Sequence, residues 1–359
     1  MNFVKSEQIR KHIKKNDMQY FVILGMRSNG KSCAVKKYCL EEYLKNGKKL
    51  FYIRRYQTDL NNWKVESYFE NVPGFSVPEL TNGKWESVTA KQGKLFLSKT
   101  IIERGKAIKV LDTEHFGYIG SLSDSEHLKS LNFPGCSNFI FEEFITDKVY
   151  LPNESTLLFN VVSTVFRNDK GCVFLVGNTI SEVNPYFREF QLDKISTQKQ
   201  GTIDIYLNDQ TKIAVWLTSP MDADREANKM SFGEVSRMIK KGEWQRSQKR
   251  HLEKPIDQYN VIYSMVFKFH DKMFLMQLLE RNGSHVWFIQ PKTTEIQKGS
   301  RIISDGMIEA DICTIGFIPL NQNESRAFNI LKQGKIAYSD NLTGTQFIQC
   351  YQQMERGIQ

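Results

Sequence analysis

The sequence predicts an α/β chain in which a nucleotide-type domain with a buried parallel sheet is followed by a smaller α+β domain. Three observations predict it. Residues 25–32, Gly-Met-Arg-Ser-Asn-Gly-Lys-Ser, complete the pattern G-x-x-x-x-G-K-[ST] directly after the apolar run Phe21-Val22-Ile23-Leu24. A second apolar run, Asn138-Phe139-Ile140-Phe141, ends in two adjacent acids, Glu142 and Glu143. From Asn260 onward, short apolar segments alternate with turns at His270-Asp271 and Asn282-Gly283, the spacing of successive antiparallel strands.

At 359 residues the chain exceeds the size at which one core stops growing, so more than one domain is expected. The boundaries read as 1–200 for the nucleotide domain, 201–252 for a linker domain and 253–359 for the last domain. With 40% hydrophobic and 25% charged residues the chain can bury a sizeable core, and it has no apolar run long enough to cross a bilayer. No membrane partner is expected. The opening Met1 to Glu7 lacks the apolar centre of a signal peptide, and the six cysteines are scattered without metal-ligand spacing. Reduced thiols in a cytosol are the expectation. The net charge of +9, from 49 basic and 40 acidic residues, suits a polyanionic partner or a solvated basic surface; charge alone does not choose.

In chain order, Ser6 is placed to cap a short helix running to Lys15, with Ile9 and Ile13 on its buried side. The buried strand from Phe21 then delivers the phosphate loop. Its glycines let the backbone close round an anion, and a helix opening at Cys33 turns its positive end toward that anion. Gly25, Met26, Arg27, Ser28, Asn29, Gly30, Lys31, Ser32 and Cys33 are therefore the expected ATP-binding residues. Lys31 would reach the β- and γ-phosphates, and the Ser32 hydroxyl would join the Mg²⁺ shell. A second strand, Leu50 to Ile53, ends in Arg54-Arg55, read either as a solvated edge or as groups near nucleotide or nucleic acid.

Between Trp85 and Leu111 alternating segments are split by turns at Lys91-Gln92-Gly93-Lys94 and Glu103-Arg104-Gly105-Lys106, which predicts hairpins at a sheet edge. The strand ending at Glu142-Glu143 supplies what a phosphate loop lacks. Neighbouring side chains on a strand point opposite ways, so Glu142 can face the metal and Glu143 the attacking water. Ser155 to Asn168 reads as a helix ending in Arg167, which either complements the helix dipole or reaches into a neighbour's nucleotide. The strand Cys172 to Val176 then carries Asn178 at its end, a turn residue or a γ-phosphate sensor.

Ser219 to His251 is rich in lysine and arginine and reads as the helical linker. The strands Val261–Phe269, Lys272–Leu279 and Val286–Gln290, with a helix at Glu324–Lys332, resemble the start of an RNase-H-like fold. Nucleases of that fold hold metal on carboxylates, one of them in the first strand, and no acid lies between Val261 and Phe269. Asp305, Glu309 and Asp311 lie downstream without that partner. Nuclease activity is expected to be absent.

Together these residues resemble the DNA-packaging ATPases of small podophages, the phi29-like terminase large subunits. The resemblance runs through five blocks in matching order: Phe21 to Ser32, Tyr52 to Tyr56, Ile140 to Ile145, Thr164 to Asn168 and Val183 to Phe187. It implies an additional-strand, catalytic-glutamate ATPase domain, a linker domain and a degenerate nuclease domain. The implied function is ATP-driven translocation of double-stranded viral DNA into a preformed capsid, with ATP and Mg²⁺ as cofactors. A homopentameric ring on the portal of the procapsid in the host cytoplasm is implied as well, with a structural packaging RNA left open as a further partner. Glu143 and Lys31 are the implied catalytic groups. Arg167 is implied as the trans-acting finger, Lys129 as a second basic residue offered across the subunit boundary and Asn178 as the coupling residue; Lys148 is the candidate DNA contact. Glu142 stands where the family pattern usually has Asp. A ring helicase or other translocase would share the same site, a small-molecule kinase would ignore DNA, and a nucleotide-switched binding module would show negligible turnover.

Overall fold

The computed structural model describes residues 4–26, 28–146, 150–167, 169–180, 184–192, 194–219, 249–306 and 312–357. The chain divides into two compact units, Met1–Gln245 and Arg246–Gln359.

The first unit begins with α1 (Ser6–Asn16), β1 (Tyr20–Gly25), α2 (Lys31–Asn46) and β2 (Lys49–Arg54). Two short helices, α3 (Asn62–Tyr68) and α4 (Val77–Leu80), precede the strands β3 (Ser87–Lys91), β4 (Lys94–Glu103) and β5 (Lys106–Ser121). Then come α5 (Ser125–Lys129), β6 (Cys136–Glu142), α6 (Glu154–Phe166), β7 (Cys172–Asn178), α7 (Pro185–Glu189), β8 (Ile203–Asn208) and β9 (Thr211–Leu217). The strands form one sheet in the order β3-β4-β5-β2-β6-β7-β1-β9-β8. From β5 to β9 every neighbouring pair is parallel, while β3, β4 and β8 are antiparallel edges.

A parallel strand covered by helices on both faces has no wet side, which is why Phe21 to Leu24 read as an unbroken apolar run. Phe21 and Ile23 pack in the layer with Ile9 of α1 and Val35 and Tyr38 of α2. Val22 and Leu24 pack in the opposite layer with Leu158, Val161 and Val165 of α6. All four strand residues are fully buried, each contributing about 1.5–3 kcal/mol of burial. Strand β7 lies between β1 and β6. That inserted strand brings Asn178 out between the phosphate loop and the paired acids, the sheet order that the expected additional strand would give.

Three expectations change in detail. The sheet continues through β8 and β9, beyond the boundary expected at 200, because β9 pairs parallel with β1 and completes the core. Ser6 is the first helical residue and Lys5 the cap, its N–H donating to Gln8 Oε1 at 3.1 Å. Helix α6 spans Glu154–Phe166, with Arg167 as its C-terminal cap. Most of the expected linker domain, residues 220–248, lies outside the described residues.

The second unit contains β10 (Asn260–Phe269), β11 (Lys272–Arg281), β12 (Ser284–Pro291), β13 (Arg301–Ser304), β14 (Ile312–Ile315), α8 (Gln322–Lys332), β15 (Ile336–Tyr338) and α9 (Asn341–Gly357). Its sheet runs β14-β13-β10-β11-β12-β15. β10, β11 and β12 form an antiparallel meander, and β13 and β14 add in parallel beside β10. That order is the RNase-H-like arrangement. Trp287 anchors the core, fully buried and donating from Nε1 to Ala327 O at 2.8 Å.

Candidate active site

The phosphate loop closes because two of its positions accept backbone geometry that side chains resist. Gly25 has φ 149, and a Cβ there would overlap the hydroxyl of Thr218; Gly30, the cap of α2, has φ 87. Gly30 brings no side chain over the first turn of the sixteen-residue helix, whose amides and dipole form an anion-binding end.

Lys31 is buried and its ammonium is fully engaged. It donates to Met26 O at 2.5 Å, Asn29 Oδ1 at 3.1 Å, Gly25 O at 3.2 Å and Asn178 Oδ1 at 3.3 Å. These oxygens of the loop and of Asn178 are the acceptors that a buried cation needs. Asn29, itself buried, donates from Nδ2 to Thr218 Oγ1 at 2.5 Å, and Thr218 Oγ1 donates to Leu24 O at 2.9 Å. The hydroxyl just beyond β9 is thereby wired through Asn29 to the lysine.

Opposite the loop, Glu142 ends β6. Its Oε1 accepts the Ser32 hydroxyl and its Oε2 accepts Tyr68 OH at 3.2 Å. Burial pushes the Glu142 carboxyl above its ordinary value, against the Ser32 hydrogen bond and the nearby Arg54 and Lys31 charges. Glu143 follows at φ 56, a left-handed backbone that costs a glutamate energy and marks functional turns. Its side chain is 62% exposed and its Oε2 accepts Arg54 Nη2 at 2.6 Å.

The strained turn is held from behind by Arg55. This buried guanidinium donates to Glu143 O at 3.3 Å and Phe144 O at 2.6 Å, and its Nε meets both oxygens of Glu154 at 3.0 and 2.8 Å. Glu154 is buried too and also accepts Leu151 N–H and the Tyr186 hydroxyl. A buried charge is tolerated when paired and hydrogen-bonded in this way, and removing either partner is costly.

The loop, both acids and Asn178 line one cavity of about 360 Å³. A larger hollow of about 530 Å³ beside Tyr43 and Trp85 has only Lys84 and Asp112 as charged lining groups. The smaller one carries the chemistry. Its juxtaposed hydroxyl and carboxylate, Ser32 and Glu142, are the hard oxygen donors that Mg²⁺ takes when it keeps most of its water. The residues present therefore fit that ion, whose chemistry is to neutralise charge on phosphate oxygens.

Not every expected residue is in this cavity. Arg167 follows α6, whose 13 residues carry it about 20 Å away from the acidic turn. There it is exposed, at φ 48, with Nη2 donating to Leu131 O at 3.0 Å. Lys129, two residues before Leu131, pairs with Glu126 at 2.6 Å. The two basic residues thus share one corner, apart from the cavity of their own chain. Arg27 and Lys148 lie outside the described residues. Arg54, Arg55, Tyr68 and Thr218 were not assigned to the site from sequence. Only Arg54-Arg55 gave a signal, as adjacent cations at a strand end; the other two come from segments with no motif of their own.

The family model described as podovirus DNA encapsidation protein (Gp16) matches residues 7–248. The DNA packaging protein of Bacillus phage phi29 is 29% identical over 218 residues, 59% of this chain and 56% of that protein. The chain thus spans little more than half the length of that relative. The DNA packaging protein of Bacillus phage B103 is 27% identical over 256 residues, covering 68% and 70% of the two chains. Among solved structures, a chain of the bacteriophage Phi-29 viral genome packaging motor assembly superposes with a TM-score of 0.59 at 21% identity, over 99% of this chain and 100% of that one. The Phi-28 gp11 DNA packaging motor gives 0.53 at 16% identity, over 98% of both. At these identities the two structures speak for the fold.

Proposed function

Since the chain belongs to the podovirus DNA encapsidation protein (Gp16) family, we propose that it is an ATP-driven motor that moves double-stranded DNA into a preformed capsid. The observation that carries this reading is the convergence of Lys31, Ser32, Glu142 and Asn178 on one cavity, with Glu143 at its rim.

ATP binds with its phosphates on the loop amides and the first turn of α2, and the Lys31 ammonium exchanges carbonyl oxygens for phosphate oxygens. Ser32 and Glu142 would hold Mg²⁺, which would neutralise charge on the phosphate oxygens. Glu143, released from Arg54, orients water and takes its proton. Arg167 and Lys129 sit too far from their own cavity to serve it, which supports their acting on a neighbouring subunit's nucleotide in a ring, where a guanidinium stabilises charge developing on the phosphoryl group. Asn178, whose Oδ1 accepts from Lys31 Nζ at 3.3 Å, reports phosphate occupancy to β7. The motor works on the portal of a procapsid in the host cytoplasm, as a pentamer.

The second unit is without nuclease chemistry in this reading. Its first strand carries no carboxylate, and Lys268 lies beside Ser304 where β10 meets β13. Asp305, the next residue, is occupied by the His270 side chain and accepts the His270 N–H at 3.2 Å. Glu309 and Asp311 lie outside the described residues. Among the described residues, no helix is long and apolar enough to cross a membrane.

The test is ATP hydrolysis by the full chain with and without duplex DNA. DNA-stimulated turnover that Lys31→Ala abolishes is expected, and turnover indifferent to DNA would contradict the reading.

A further inference from the structure

Strands β4 and β5 run on past the rest of their sheet. β3 accompanies β4 only as far as Ser98, and β2 accompanies β5 only from Gly117 onward. The pairs Lys99–Val110, Thr100–Lys109, Ile101–Ile108, Ile102–Ala107 and Glu103–Lys106 therefore have no strand on either side among the described residues. They make a two-stranded arm of about 17 Å at the usual rise per residue. Register shifts between Leu95 and Ser98 twist the arm at its base, and its tip is Arg104-Gly105 with φ 52 and 76, a turn matched to strand twist.

An isolated ribbon of this kind is marginal in water, yet this one turns isoleucines outward. Ile102 is 81% exposed, and Ile101 and Ile108 are 37% and 40% exposed. Between 99 and 110 the charged residues are Lys99, Arg104, Lys106 and Lys109 against a single acid, Glu103. Lys99 leans over the Trp85 ring at 5.7 Å and Lys109 approaches Glu66 at 3.9 Å, which leaves the tip cations Arg104 and Lys106 facing outward.

We propose that this arm is a binding site for double-stranded DNA, lying in the major groove with Arg104 and Lys106 on the phosphates and Ile102 against the base edges. The B-form major groove, about 12 Å wide, admits a two-stranded ribbon, and apolar side chains find thymine methyls there. The deep, narrow major groove of A-form RNA does not admit it. Docking of a second copy on the open strand edges would satisfy backbone groups, but it gives no reason for cations gathered at the tip. The proposal rests on the motor reading for the identity of its ligand. It is independent of the ATP site, since β5, β2, β6 and β7 stand between β4 and the phosphate-loop strand β1.

The experiment measures binding of a labelled mixed-sequence DNA duplex to the full chain across a salt series, for the parent protein, Arg104→Glu with Lys106→Glu, and Ile102→Ser. The double variant should lose about tenfold or more in affinity at low salt, and its slope of log affinity against log salt should fall by about 2, at 0.9 per phosphate contact. Ile102→Ser should weaken binding with no change in that slope. Binding of a labelled ATP analogue and DNA-free hydrolysis should be unchanged in all three. Unaltered DNA affinity and slope in the double variant would overturn the proposal, as would a loss confined to duplex RNA, or a loss of self-association with DNA binding intact. A parent protein that binds DNA through the arm but hydrolyses no ATP would sink the motor reading and leave the arm standing.

Discussion

Arg54 Nη2 donates to Glu143 Oε2 at 2.6 Å, tying the guanidinium at the end of β2 to the carboxylate at the rim of the cavity. A carboxylate held by a guanidinium is not free to swing toward water. The pair is accordingly a catch on the group proposed to activate the nucleophile.

Releasing the catch should be visible in turnover. Arg54→Ala is expected to raise hydrolysis in the absence of DNA and to shrink the stimulation that DNA provides. Glu143→Gln should lower kcat by about 10²- to 10⁴-fold, the usual worth of a positioned base, while a labelled nucleotide still binds. Steady-state kinetics with and without DNA checks both variants. A fall in DNA-free turnover for Arg54→Ala would instead make Arg54 an aid to Glu143.

The corner shared by Arg167 and Lys129 bears on assembly. Each of Glu143→Gln and Arg167→Ala alone should abolish most turnover, yet mixed rings should recover part of it, because some interfaces then pair an intact glutamate with an intact arginine. Equal inactivity of the mixture and of the separate variants would place both groups in one chain's own site.

Thr218 links β9 to the phosphate loop through Asn29. Thr218→Val keeps the shape and removes the hydroxyl. Two buried hydrogen bonds are lost, one from Asn29 Nδ2 and one to Leu24 O, each of about 0.5–1.5 kcal/mol, so nucleotide binding should weaken roughly tenfold and the melting temperature should fall by a few degrees. Thr218→Ser should restore both.

In the second unit, Arg301 Nε meets Glu324 Oε1 at 3.0 Å, with both side chains buried. Burial pushes Glu324 up, but hydrogen bonds from Tyr263, the Leu320 N–H and Arg301 outweigh it and hold the carboxyl below its ordinary value of 4.5. A carboxyl depressed in the folded state contributes stability that is present above its unfolded value and lost as pH falls through the folded one. Melts of the full chain should therefore show destabilisation setting in below about pH 4.5. Glu324→Gln should flatten that dependence and lower stability at neutral pH.

Much of this was legible in the sequence where one physical cause acts locally. The phosphate loop, the acidic strand end and the hairpins at Lys91-Gln92-Gly93-Lys94 and Asn282-Gly283 each follow from backbone demands or strand periodicity, and their partners lie within a few residues. What could not be read was long-range satisfaction of buried polar groups. Nothing near Thr218 announces that its hydroxyl meets Asn29, 189 positions away. Nor does Glu154, a polar residue at the start of a helix, announce that it neutralises Arg55, 99 positions away. The boundary expected at 200 failed for the same reason, since β9 reads as one more short strand until its pairing with β1 is known.

In the proposed motor, ATP turnover at the Lys31 and Glu143 site drives DNA into a capsid. The most direct test of this is the amount of nuclease-protected DNA recovered after the chain, empty procapsids, duplex DNA and ATP are combined. Protection that requires ATP and disappears with Glu143→Gln is the expected result. Protection that persists with Glu143→Gln, or none despite vigorous DNA-stimulated hydrolysis, would contradict the account.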